Sequence, residues 1–407
     1  MSSVVIVGAS HAAAEAISTL KKRGYDGDII LVGDEPYLPY QRPPLSKKYF
    51  NDEVTVDQLY IKGPASYDAA GVKQMLGRTV ESIDRNGKQL MLDGGEPLAY
   101  DKLIIATGTR ARILPVEGGD LAEVKYLRTK NDVDQIKAAV VKGSKLLIVG
   151  AGYIGLEVAA SAVKRGVEVV VLEAMDRVLQ RVTSPVVSEF YQQVHQQEGV
   201  DIRLETALSK FEKVEVNGTS TTRAVLADGE TIGFDCAIVG IGVIPNVELV
   251  QDAGLECENG IVVDEFCRTG DPDIYAVGDC SNHPSFIYGK RLRLESVPNA
   301  MGQAKTAASS ICGQDIAYDE VPWFWSDQYD VKLQTAGLCQ DYDQIVLRGD
   351  PDKRKFAVFY LRDKKLIAVD AINSPAEFMV SKKLVVAHAT PDPEKLADSA
   401  VPMKAFL

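Results

Sequence analysis

Residues 145–173 read KLLIVGAGYIGLEVAASAVKRGVEVVVLE. The apolar run Leu146 to Val149 breaks at Gly150, Gly152 and Gly155, and a stretch of small and apolar residues then leads to a second apolar run, Val169 to Leu172. Runs without polar alternation suit strands buried on both faces, so the segment predicts strand, tight turn, helix and parallel strand. A G-x-G-x-x-G at that turn has a physical reading. The first glycine permits the turn, the second lets the backbone approach a pyrophosphate, and the third lets helix and strand pack closely while the helix N-terminus faces the phosphates. Glu173 closes the second strand. A carboxylate there accepts hydrogen bonds from an adenosine ribose and repels a 2′-phosphate, which predicts NADH rather than NADPH.

The 407 residues carry a formal charge of −12, which argues against sequence-independent binding to nucleic acid or to an anionic membrane. No apolar stretch approaches the roughly 18 residues that would cross a bilayer. Met1, Ser2 and Ser3 run directly into strand-like VVIVGA, which leaves no signal segment to remove and predicts a cytoplasmic protein. All six cysteines, Cys236, Cys257, Cys267, Cys280, Cys312 and Cys339, lie in the second half without metal-ligand spacing and read as reduced thiols. The four histidines are scattered, and no metal site is expected.

Residues 3–34 repeat the pattern in weaker form, with Gly8 in the first glycine position, Ser10 in the second and Ala13 in the third. The turn would present Gly8, Ser10, His11 and Ala12 to a second nucleotide, and Asp34 or Glu35, with Asp34 preferred, to its ribose. Prolines Pro36, Pro39, Pro43 and Pro44 then force an extended path, expected to open a helix capped by Ser46 and to present Lys47 beside the cofactor. LIIATG ends this part of the chain near residue 110. After Glu173 come a helix-like stretch near Pro185, turns at Asn217-Gly218 and Asp228-Gly229, and CAIVGIGVIPN, read as one strand that returns to the first domain and brings Gly242 to the site. In TGDPDIYAVGDC a short strand ends at Gly278, placing Asp279 at a carboxyl end, where it could bond the ribityl hydroxyls of a flavin. ESVPNAMGQAK leads into an alanine-rich helix whose first amides could face the flavin ring. From about 321 the composition changes, and strands with charged turns precede a final helix. The tryptophans there, Trp323 and Trp325, serve either a core or a site.

The order GxxxxA, PPLSK, ATG, GAGYIGLE, GIGVIPN, YAVGDC, ESVPNA, WFWSDQY resembles the ferredoxin reductases that serve bacterial oxygenases, within the pyridine nucleotide-disulfide oxidoreductase superfamily, over essentially the whole length. The resemblance implies an α/β fold of the glutathione reductase type with two Rossmann-like domains. An FAD domain (1–110 and 246–320) is interrupted by an NADH domain (111–245) and followed by a C-terminal α+β interface domain (321–407). Carried over by motif, FAD contacts would be Ala12, Asp34, Lys47, Val80, Arg128, Asp279 and Val297; NADH contacts would be Tyr153, Ile154, Glu157, Glu173, Arg181 and Gly242, with Gly150, Gly152 and Gly155 at the pyrophosphate.

The resemblance also implies a chemistry of the EC 1.18.1 type, in which hydride passes from NADH to FAD and electrons then leave singly for a [2Fe-2S] ferredoxin supplying a haem-thiolate or Rieske oxygenase. Lys47 and Glu157 are the catalytic candidates. Lys47 would favour negative charge on the ring, and Glu157 would bond the nicotinamide amide, pair with Lys47, or stand as a solvated helix acid. Residues 36–60 hold no cysteine, so no thiol relay stands after the first nucleotide unit. The ferredoxin would dock at Trp325 and the cations Lys290, Arg291, Arg293 and Lys305, and the protein would be a monomer or weak homodimer. Competing readings are a rubredoxin reductase, an NADH oxidase, or a non-catalytic flavoprotein of the apoptosis-inducing-factor group whose association responds to NADH.

Overall fold

The computed structural model describes residues 2–216 and 218–407, so Asn217 of the expected Asn217-Gly218 turn lies outside the described residues. Two compact units are each built from separated segments of chain. The first gathers the chain up to Gln41 with Val56–Arg110 and Ile244–Pro322; the second gathers Arg42–Thr55, Ala111–Val243 and Trp323–Leu407.

In the first unit, β1 (Ser3–Val7) and β2 (Asp28–Gly33) lie in a five-stranded parallel sheet, in the order Ile274–Ala276, Lys102–Ile105, β1, β2, Val72–Leu76. The register pairs Val5 with Ile30 on one side and with Leu103 on the other. Side chains alternate across a strand, so β1 serves two cores. Val4 and Ile6 meet helix α1 (His11–Lys22) and the helix Val297–Ile311, which share an alanine-rich seam of Ala12, Ala13 and Ala16 with Ala300, Ala304 and Ala307. Val5 and Val7 face Val80, Ile83, Leu90 and Leu92 of a small antiparallel sheet. Small residues at the helix seam let the two helix axes approach, so their N-termini come to the same edge of the parallel sheet.

In the second unit, β3 (Lys145–Val149) and β4 (Glu168–Leu172) are joined by α2 (Tyr153–Lys164) as the sequence predicts. They sit in a parallel sheet ordered Asp201–Arg203, β4, β3, Cys236–Val239, Val124–Tyr126. An antiparallel sheet covers one face through Phe211, Leu226, Ile232 and Phe234. The C-terminal part is an antiparallel sheet in which β5 (Trp323–Gln328) is the edge, followed in space by Val331–Gly337, Lys365–Ile372, Lys355–Arg362 and Gln344–Asp350, with the helix Pro375–Val386 packed on it.

Two local expectations change. Ser46 does not cap a helix: Pro43–Ser46 is a single 3-10 turn that the two prolines nucleate, and the chain leaves helical geometry at Lys47 (φ −132°, ψ −108°). CAIVGIGVIPN is not one strand but two, Cys236–Val239 and Val243–Pro245, because the backbone breaks at Gly240 and at Gly242, whose φ is +104°.

Candidate functional site

In the first unit, helix α1 follows the Gly8 turn with no side-chain cap. Gly8 takes φ +108°, and a Cβ there would stand 2.3 Å from the Ala106 carbonyl oxygen, so only glycine lets β1 end against that backbone. Ser10 is the N-cap of α1, yet its hydroxyl caps no amide and the first turn holds no acid. The first amides of an α-helix have no acceptor within it, and with no side-chain cap at this turn they make a seat for phosphate. Ala13 is wholly buried, as the close-packed third position requires. Asp34 is exposed after β2, and its carboxylate accepts from the Glu35 amide at 3.0 Å; Glu35 is engaged by the Tyr40 hydroxyl at 2.7 Å. Asp34 is therefore the better placed of the two for a ribose.

At the carboxyl end of Ile274–Ala276 the turn Gly278–Cys280 carries Asp279. Gln303 fixes this turn by accepting the Gly278 amide and the Ser281 hydroxyl, both at 2.7 Å. At the start of Val297–Ile311, Pro298 has no amide hydrogen and Ser296 takes the Asn299 amide, which leaves that of Val297 for a ring carbonyl. Val80 is buried among Ile83, Leu90 and Leu92, so its main chain is what can face a cofactor. Of the docking cations, Lys290, Arg291 and Lys305 are exposed, Arg291 with hydrogen bonds to the Val263 and Asn282 carbonyls, whereas Arg293 pairs with Glu295 at 2.7 Å. Residues suited to FAD are thus present: an uncapped helix N-terminus, an acid at a strand end and a held aspartate at the opposite strand.

In the second unit the three glycines of the central motif behave differently. Gly150 has φ +104° and a Cβ would meet the Gly240 oxygen at 2.5 Å; Gly155 would meet the Gly150 oxygen at 2.2 Å; around Gly152 there is nothing within 4 Å. The open position is the one where a pyrophosphate would come close. Gly152 is the N-cap of α2, with no side-chain cap and no acid in the first turn. Tyr153 packs its ring 4.7 Å from that of Phe324, while Ile154 is exposed on the same turn. Glu173 accepts the Ala151 amide at 2.8 Å and the Met175 amide at 3.0 Å, which holds its carboxylate at the glycine turn. Arg181 is exposed on the loop that follows, and Arg128 contributes its backbone to a capping box at Thr129–Asp132 and its carbonyl to Arg42 at 2.8 Å.

Lys47 and Glu157 come together. Lys47 Nζ lies 2.5 Å from Glu157 Oε2, and Glu157 is 2 % exposed on α2, so it is not a solvated helix acid. Ser46 Oγ donates to Oε2 at 2.6 Å and Ser326 Oγ to Oε1 at 2.7 Å. The sequence singles out Ser46 only as a helix cap and does not single out Ser326. The signal was the serine inside PPLSK and the one inside WFWSDQY, but pairing them needs contacts that run across more than a hundred positions. Trp325 is half-buried beside Trp323, with ring centroids 5.7 Å apart. Burial pushes the Cys236 and Cys339 thiols up to about 12 and raises that of Cys280, so these cysteines stay protonated. Among the described residues no cluster of His, Cys, Asp and Glu could hold a metal, and no helix is long and apolar enough to cross a membrane.

The pattern of the pyridine nucleotide-disulphide oxidoreductase family matches residues 2–304, and that of the reductase C-terminal family matches residues 323–407. Putidaredoxin reductase of Pseudomonas putida is 42% identical over 407 residues, covering 99% of this chain and 96% of that one. A rubredoxin-NAD(+) reductase, also of Pseudomonas putida, is 38% identical over 372 residues, 91% of this chain and 96% of that one. The solved covalent complex of putidaredoxin reductase with putidaredoxin superposes with a TM-score of 0.95 at 41% identity, covering 100% of this chain and 98% of that chain.

Proposed function

The chain belongs to the pyridine nucleotide-disulphide oxidoreductase family, and on that footing we propose that it is an NADH-dependent, FAD-containing ferredoxin reductase of an oxygenase system. When bound, FAD takes two electrons from NADH as hydride and gives them up singly to two molecules of a [2Fe-2S] ferredoxin. The residues bind, orient and set charge. The α1 turn with Asp34 and the Asp279 turn hold FAD, and the α2 turn with Glu173 holds NADH. Lys47 supplies a cation for the ring, and Glu157 supplies its counter-charge. Ferredoxin docks by the exposed cations Lys290, Arg291 and Lys305, and the enzyme works in the cytoplasm.

The observation that carries this reading is the pair of strand, glycine-turn and helix units, one in each parallel sheet and each with no side-chain cap at the turn, in a chain with no cysteine before Cys236. Two coenzymes are served and no sulfur relay follows the first nucleotide unit, so electrons must leave for an external carrier. The greater identity to putidaredoxin reductase than to the rubredoxin reductase favours a ferredoxin over rubredoxin. Anaerobic addition of NADH should bleach the yellow protein, and ferredoxin added next should restore its colour, with a thiol-blocking reagent leaving both steps intact. A colourless protein that takes up no flavin, or loss of reducing power on thiol blockade, overturns the reading.

A further inference from the structure

Glu157 is held from both sides of its carboxylate, and the second side belongs to β5. Ser326 and Gln328 share the buried face of that strand, where the side-chain period of two turns Asp327 outward. Ser326 Oγ is 2.7 Å from Glu157 Oε1 and accepts from Gln328 Nε2 at 3.1 Å. Gln328 Oε1 is 2.7 Å from His195 Nε2, and His195 Nδ1 is 3.1 Å from the Tyr329 hydroxyl. Ser326 and His195 are fully buried, and Gln328 is nearly so.

The direction of each bond follows from the carboxylate end. An ionised carboxylate only accepts, so Ser326 donates to it and must itself accept from the Gln328 amide nitrogen. The amide oxygen then faces His195, which requires the proton on Nε2 and leaves Nδ1 to accept from Tyr329. Every hydrogen in the chain points towards Glu157. A neutral imidazole is needed, and burial supplies one by holding His195 down at about 4. Tyr329 takes φ +54°, a left-handed conformation that a residue with a Cβ keeps only where its surroundings enforce it. A buried polar chain with each member satisfied specifies one orientation of its end group.

We infer that Ser326 and Gln328 are positioning residues for Glu157, anchored by His195 and Tyr329, so that the strand bearing Trp325 and the acid facing Lys47 are set by one chain of hydrogen bonds. The inference rests on the reading of Lys47 and Glu157 as the charge pair that serves the flavin. Without Ser326 the carboxylate keeps donors on one oxygen only and is free to rotate away from the lysine.

The test compares the holoproteins of Ser326→Ala, Ser326→Thr, Gln328→Leu and Glu157→Gln by anaerobic stopped-flow reduction at saturating NADH and by equilibrium titration of the flavin midpoint potential. A hydrogen bond to a charged group is worth enough for Ser326→Ala to slow flavin reduction about tenfold, with NADH affinity changed less than about twofold. The midpoint potential should move in the direction that Glu157→Gln moves it. Ser326→Thr should restore both, and Gln328→Leu should fall between. If Ser326→Ala and Gln328→Leu lower the melting temperature but leave rate and potential unchanged while Glu157→Gln alters them, the chain is a structural tie and the inference fails alone. If Glu157→Gln also leaves rate and potential unchanged, the underlying charge-pair reading fails and takes the inference with it.

Discussion

A carboxylate that accepts two backbone amides, as Glu173 does from Ala151 and Met175, is fixed in place before any ligand arrives. Each oxygen retains a lone pair that a ribose hydroxyl can use, and a 2′-phosphate would bring negative charge against negative charge. Glu173→Ala should therefore narrow the ratio of kcat/KM for NADH over NADPH by about tenfold, near 1.4 kcal/mol. Part of the loss should appear with both coenzymes, because the Ala151 amide that orders the glycine turn is released as well. Steady-state kinetics with each nicotinamide measures this, and an unchanged ratio would remove Glu173 from coenzyme selection. The position of Glu173 at the glycine turn was legible in the sequence because it depends on one strand end and the turn beside it. Ser326 was not, since a serine within an aromatic run declares its partner only when α2 and β5 are packed together.

The helix Lys130–Ala139 and helix α1 differ in their caps. Thr129 accepts the Asp132 amide at 3.2 Å and Asp132 answers with the Thr129 amide at 2.7 Å, a complete capping box on the helix Lys130–Ala139. Ser10 occupies the equivalent place on α1 and caps nothing. Thr129→Ala should cost about 1 kcal/mol of stability, the usual loss for an N-cap. Ser10→Ala should leave the FAD-free protein within about 0.5 kcal/mol of the parent and instead weaken FAD retention. Urea unfolding of the apoproteins and FAD titration by fluorescence separate the two effects, and a loss at Ser10 equal to that at Thr129 would show α1 to be an ordinary helix. The two strand-turn-helix units could be read because their signals are local: apolar runs, glycines at fixed spacing and an acid at the next strand end. The order of the C-terminal sheet could not. Its edge strand β5 is first in sequence, while Gln344–Asp350, at the other edge, is third, and that arrangement depends on long-range pairing. Arg348 shows the same limit. It is 5 % exposed and donates to the carbonyls of Leu396, Asp398 and Val401, tying down the C-terminal segment from about fifty positions away.

At the scale of the molecule, charge acts in two ways. The net charge of −12 opposes approach of an acidic carrier, so docking depends on local cations, and with Arg293 paired to Glu295 these reduce to Lys290, Arg291 and Lys305 among the four proposed. Ferredoxin-dependent kcat/KM should fall as salt rises, and a flat response would rule out electrostatic docking. Buried groups set a second dependence, on pH. Burial holds His195 and His283 down at about 4, below the ordinary 6.5, so each stays neutral in the fold but protonates in the unfolded chain. Between pH 6.5 and 4 the unfolded state binds more protons, and stability falls as pH falls. Asp370 runs the other way: burial pushes its carboxyl up to about 6 from 3.8, against hydrogen bonds from Thr183 and from Tyr360, the latter at 2.6 Å. Its folded form holds the proton more tightly, so its contribution is present at low pH and is lost as pH rises through that window. Asp370→Asn deletes this opposing dependence, worth about 3 kcal/mol across the window. Thermal unfolding followed from pH 7 to pH 5.5 should therefore show the variant losing stability on acidification more steeply than the parent, and parallel curves would show that Asp370 does not titrate in the fold.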